Sequence, residues 1–147
     1  MLSNKTPNNI IDNSDFYRIY YSDKIHNSNG IYIFFTLKNG TISKYFNKLK
    51  CSFDSNQNKR LITSFANIER QILYLYPDIF KSQPTFRIGE QLDNHFIKIF
   101  VENGCVPVGK FQSSNFILKI SGIWSNNKKY GLTFRFYIAN HLLRNDE

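Results

Sequence analysis

The segment 31–38, IYIFFTLK, alternates two sets of side chains: Ile31, Ile33, Phe35 and Leu37 against Tyr32, Phe34, Thr36 and Lys38. Side chains of a strand point by turns to opposite faces of a sheet, so a period of two over eight residues calls for a half-buried β-strand. The pattern recurs along the chain. Ile97, Ile99 and Val101 oppose Phe96, Lys98 and Phe100; Phe116, Leu118, Ile120 and Trp124 oppose Lys119; Leu132, Phe134, Phe136 and Ile138 oppose Arg135 and Tyr137. In segment 42–53, Ile42, Lys44, Phe46, Lys48 and Lys50 share one side. Each strand thus has an apolar face for a core and a second face of rings and cations, where an ordinary small β-protein is merely soluble.

Turn and cap signals place these strands in order. Segments 16–22, 30–37 and 42–53 read as the first three, and Asn39-Gly40 carries the hairpin signal between the second and third, giving a meander. Asp54, Ser55 or Asn56 then offers a helix cap, and Leu61, Phe65, Ile68, Ile72 and Leu75 follow at steps of four and three. That spacing predicts one amphipathic helix over 58–76, stopped by Pro77. Further strands are expected near 85–88, 96–101, 115–124 and 130–139. The fold class is therefore mainly β (α+β): a single OB-like Greek-key barrel of about six or seven strands with one inserted helix. Residues 1–15 are polar and Asn-rich and read as a flexible segment, with the domain spanning 16–143.

The signals of catalysis and metal binding are missing from the sequence. His26, His95 and His141 stand apart from one another, Cys51 and Cys105 are too distant for a metal knuckle, and no nucleophile has a recognisable context. GCVPVGK, 104–110, satisfies part of a phosphate-binding loop, but Phe111 stands where Ser or Thr is needed and a strand is expected where a helix is required. No catalytic residue, metal ligand or cofactor is expected. No apolar run approaches a membrane span and no signal segment is apparent, so an intracellular, cytoplasmic protein with reduced thiols is expected.

Nineteen Lys+Arg against eleven Asp+Glu leave a net charge of +8, which favours a polyanionic partner. Combined with rings on the second faces, this describes a surface for single-stranded nucleic acid, where unpaired bases stack on aromatic rings and cations meet the phosphates. The stacking residues are expected to be Tyr32, Phe34, Phe46, Phe96, Phe100 and Tyr137. The phosphate path is expected to use Lys38, Lys44, Lys48, Lys98, Lys119, Lys128, Lys129 and Arg135. Two other classes fit the same face: an RNA-binding protein, and a non-enzymatic adaptor or dimerisation protein of a replication complex. Trp124 falls on the core side by parity unless Gly122 introduces a bulge.

LKISGIW, a short polar loop and YGLTFRF carry a resemblance. Gly122, Ile123 and Trp124, followed by Gly131, Leu132, Thr133, Phe134 and Arg135, resemble the C-terminal strand pair of a family of single-stranded DNA-binding proteins. These are encoded by large cytoplasmic DNA viruses and by the linear cytoplasmic killer plasmids of yeasts. The layout is similar over most of the chain, and the specific sequence over about twenty residues. Eighteen Asn and eighteen Ile against two Ala suggest an A+T-rich genome, which makes the plasmid-encoded members the nearer fit. The resemblance implies a protein that coats single-stranded DNA during protein-primed replication in the cytoplasm, with replication proteins of the same replicon as partners. The ending LLRNDE departs from the longer acidic tail by which bacterial counterparts recruit partners. Association with further copies of the chain is left open.

Overall fold

The computed structural model describes residues 6–7, 15–22, 27–46, 48–75, 82–101 and 108–139. In chain order the elements are β1 (Thr6–Pro7), β2 (Asp15–Arg18), β3 (Tyr20–Ser22), β4 (Asn27–Asn29), β5 (Ile31–Tyr45), β6 (Lys48–Phe53), α1 (Lys59–Leu73), β7 (Gln83–Pro84), α2 (Arg87–Asp93), β8 (Phe96–Ile99), β9 (Gly109–Ser125) and β10 (Lys129–Ile138). The structure is mainly β. Five strands pair in a ring, β9–β5–β6–β8–β10 and back to β9. Four of the five contacts are antiparallel; the fifth, β8 with β10, is parallel and rests on one register pair, Ile99 with Phe136, and a 2.8 Å bond from the Phe100 amide to the Phe136 carbonyl.

The inward sets fill this ring. Phe35, Leu37, Cys51, Ile97, Phe116, Leu118, Ile120 and Phe136 are all buried there, with Phe35 stacked on Phe116 at 5.6 Å. Helix α1 packs onto the core through Phe65, whose ring meets Phe35 edge-on at 4.9 Å, and Leu73. Removing a fully buried ring such as Phe116 (→Ala) leaves a cavity and costs about 3–5 kcal/mol. Burial pushes the Cys51 thiol up to about 12, so it remains a protonated packing group.

Several expected boundaries are corrected. Asn39-Gly40 is not a hairpin: β5 runs through it, because both flanking stretches pair with the same strand, from Ile31 opposite Ile120 to Ile42 opposite Gly109. Gly40 is needed for close approach, since a Cβ there would meet the Phe111 ring at 2.5 Å and the Ser52 carbonyl at 2.6 Å. Asn39, at φ 52°, switches the inward parity from Leu37 to Ile42. The reversal comes instead between Tyr45, the end of β5, and Lys48, the start of β6. The first strand does not join a meander either; Phe16 lies opposite Trp124 on β9, and β3 pairs with β4.

The region expected as a strand over 85–88 is not one: the two-residue β7 ends before it at Pro84, and a second helix, α2, begins within it at Arg87. Glu69 of α1, 1% exposed, accepts the amides of Ile88 and Gly89 at 2.9 Å each, supplying the free N–H groups of the first turn of α2 with an acceptor. Helix α1 ends at Leu73, and Pro77 lies outside the described residues. None of the three expected caps serves α1. Its N-cap is Asn58, whose side chain bridges the Lys38 amide and carbonyl at 3.0 and 2.9 Å.

Candidate nucleic-acid interface

The outward residues of the ring are brought together by register. Lys119 of β9 lies between Tyr32 of β5 and Arg135 of β10, and one step along the same face Ile117 lies between Phe34 and Tyr137. The Lys119 ammonium sits 5.6 Å from the Tyr32 ring centre. Across the β8–β10 seam the Arg135 guanidinium lies 4.2 Å from the Phe100 ring, which meets Tyr137 edge-on at 5.6 Å. Beyond Phe100, Lys98 faces Lys50 across β8 and β6, and the Lys50 ammonium is 4.3 Å from Phe96 and 5.7 Å from Tyr45. Lys48 opens the same outer side of β6, opposite Tyr45. The result is a belt around the barrel in which rings and cations are interspersed.

Rings in this belt are more open than packing requires. Phe34 is 73% exposed and Phe46, at the β5–β6 turn with φ 53°, is 87% exposed. Phe46 touches Tyr45 edge-on at 4.8 Å. Large rings left in water on a strand face and a turn tip forgo the hydrophobic gain of burial within this chain.

Of the expected site residues, Tyr32, Phe34, Lys119, Arg135, Tyr137, Phe100, Lys98, Phe96, Phe46 and Lys48 fall on this belt. Four do not. Lys38 shares the face of Phe34 but lies four residues further along β5, at the Asn58 bridge. Lys44 pairs with the inward Leu49, because the reversal after Tyr45 separates its face from that of Lys50. Lys128 and Lys129 lie at the opposite end of β10 from Tyr137, with Lys129 roughly 20 Å from Arg135 at strand rise. Their amides donate to the Asn126 side chain at 2.9 and 2.7 Å, which fixes that turn.

Three participants were not among the expected residues. Tyr45 was assigned no face because the turn was misplaced, and Lys50 was on the parity face but not among the site residues. Arg87 belongs to the unexpected helix α2. Its guanidinium lies 4.7 Å from the ring of Trp124, which is 3% exposed. A register shift opposite Thr133–Phe134 inserts Ser121 as an extra residue in β9. Ile123 thereby takes the inward place and Trp124 lies on the outer side across from Gly131, where a Cβ would stand 3.1 Å from its indole nitrogen. That Nε1–H is the one buried side-chain polar atom without an acceptor among the described residues.

Where β8 and β10 diverge from their single pair, a cleft of about 660 Å³ opens beneath α2, lined by Lys48, Arg87, Lys98, Phe100, Trp124 and Arg135 among others, with no Asp or Glu in its lining among the described residues. Among the described residues there is no cluster of His, Cys, Asp and Glu suited to a metal ion. Gly109 and Lys110, the end of the partial phosphate-loop motif, begin β9, and a strand follows them. No described helix is long and apolar enough to cross a membrane. Comparison with family models, with curated proteins and with solved structures returns no match to this chain.

Proposed function

We propose that this chain is a non-catalytic, sequence-tolerant single-stranded DNA-binding protein whose barrel is of the OB type. The observation that carries the reading is the belt itself, with rings and cations at 4.2–5.7 Å from one another across β5, β9, β10, β8 and β6. Bases stacking on such rings contribute about 1–3 kcal/mol each whatever their identity, while the adjoining cations neutralise phosphates. The OB reading is supported by strand order. β9–β5–β6–β8 follows the Greek-key order of fourth, first, second and third strand, and β10 closes five strands into a ring.

In this reading the protein coats exposed strands during replication in the cytoplasm, as the resemblance of GIW and GLTFR implies, alongside replication proteins of the same replicon. Fluorescence anisotropy with labelled oligo-dT, duplex DNA and matched RNA, at low and moderate salt, tests it. Oligo-dT is expected to bind tightest, with log K falling against log[salt] at about −3 for roughly four phosphate contacts. Tighter binding to RNA would assign the belt to RNA instead. Equal, weak binding to all three that vanishes with salt would reduce the belt to general basicity and overturn the proposal.

A further inference from the structure

The cleft beneath α2 gathers charge of one sign from four separate elements: Lys48 of β6, Arg87 of α2, Lys98 of β8 and Arg135 of β10. Among the described residues no carboxylate pairs with any of them. Like charges around one cavity repel, and the two guanidinium groups resting on Trp124 and Phe100 offset only part of that repulsion. An anion completes the balance. The walls, however, exceed what a simple ion needs: Phe100, Phe134 and Trp124 contribute apolar ring surface, and about 660 Å³ falls within the roughly 300–1,000 Å³ of small-ligand clefts. An anion joined to a flat apolar group is the chemistry of a nucleotide.

We infer that this cleft seats one nucleotide unit of the bound strand, its phosphate among Arg87, Lys98 and Arg135 and its base against Phe100. The inference rests on the proposed single-strand binding and adds a fixed anchoring point to a belt that otherwise holds the strand at the surface. It also gives Arg87 a second partner: a guanidinium drawn from the Trp124 ring to a phosphate uncovers the only tryptophan of the chain, so indole emission reports on the cleft.

The test titrates the full chain with labelled oligo-dT and follows strand anisotropy and Trp124 emission together. Thymidine 5′-monophosphate, thymidine and inorganic phosphate are titrated separately. Oligo-dT is expected to move both signals with one midpoint. The monophosphate is expected to reproduce the emission change at higher concentration, with thymidine and inorganic phosphate each about tenfold weaker or worse. Arg87→Gln is expected to weaken oligo-dT about tenfold and flatten the salt slope by about 0.7, and Arg87→Lys to restore the slope but not the affinity. Arg87 is exposed, and unchanged far-ultraviolet circular dichroism will establish that the variants are folded. Normal anisotropy with unmoved emission and wild-type affinity in Arg87→Gln would overturn the cleft and leave the belt standing. Inorganic phosphate binding as well as the monophosphate would leave an anion site with no base pocket, and also overturns the inference. No oligo-dT binding at all would remove the proposed function with it.

Discussion

Replacing Phe34 by threonine separates the belt's contribution to binding from any contribution to folding. The ring is 73% exposed, so folding removes only about a quarter of its surface from water. At about 25 cal/mol per Å² on a side chain of roughly 200 Å², that fraction is worth near 1 kcal/mol. Threonine keeps the strand preference, which limits further loss. The thermal midpoint is therefore expected to fall by a few degrees at most. Stacking, in contrast, is lost entirely: about 1–3 kcal/mol, or roughly 5- to 150-fold in Kd for oligo-dT by anisotropy. The salt slope should not move, because a ring releases no counterions. A folded Phe34→Thr protein that binds oligo-dT within twofold of wild type would refute the stacking role of the Tyr32–Phe34 row.

Three other perturbations probe different parts of the argument. Lys119→Gln removes the cation between Tyr32 and Arg135, and the slope of log K against log[salt] should become shallower by about 0.7; an unchanged slope would take Lys119 off the phosphate path. Gly40→Ala forces a methyl against the Phe111 ring and the Ser52 carbonyl, and urea unfolding should show a loss of about 1–3 kcal/mol, whereas a neutral result would mean that β5 and its neighbours shift freely. Burial raises the Glu69 carboxyl above its ordinary 4.5, an effect only partly opposed by the amides of Gly89 and Ile88. Between 4.5 and the raised value the folded state holds the extra proton, so this group's contribution to stability falls as pH rises through that window. The wild-type minus Glu69→Gln difference in unfolding free energy should therefore decline as pH rises above 4.5 towards neutrality, and a difference independent of pH would disprove the linkage.

The alternation of residues 31–37 was enough to place the inward set of β5, because burial of one face leaves a strand no freedom of register. The same alternation puts Phe100, Arg135 and Tyr137 on the side away from the core, where the three side chains meet. It failed where a local signal met a long-range partner. Asn39-Gly40 favours a turn in isolation, but eleven register pairs with β9 hold β5 extended across it. With the reversal between Tyr45 and Lys48, Lys44 shares the face of the inward Leu49 and Tyr45 that of Lys48. Helix α2 has seven residues and contains a glycine, so its own periodicity is weak, and the acceptor for its first turn lies some twenty positions earlier at Glu69. Arg87 was hidden for the same reason. Trp124 depended on one inserted residue, Ser121, which parity can suggest but not locate.

The single Ile99–Phe136 pair gives the barrel an uneven circumference. Every other joint is a ladder of several pairs and resists sliding, so the ring behaves like a belt fastened by one stud. Along that joint β8 is held to the ring by its four-pair ladder to β6 and by the burial of Ile97 and Ile99, more than by its hydrogen bonds to β10. The circumference is thus closed there by packed side chains with a single register pair to β10, and the same sparse pairing leaves room for the cleft lined by Lys98, Phe100 and Arg135.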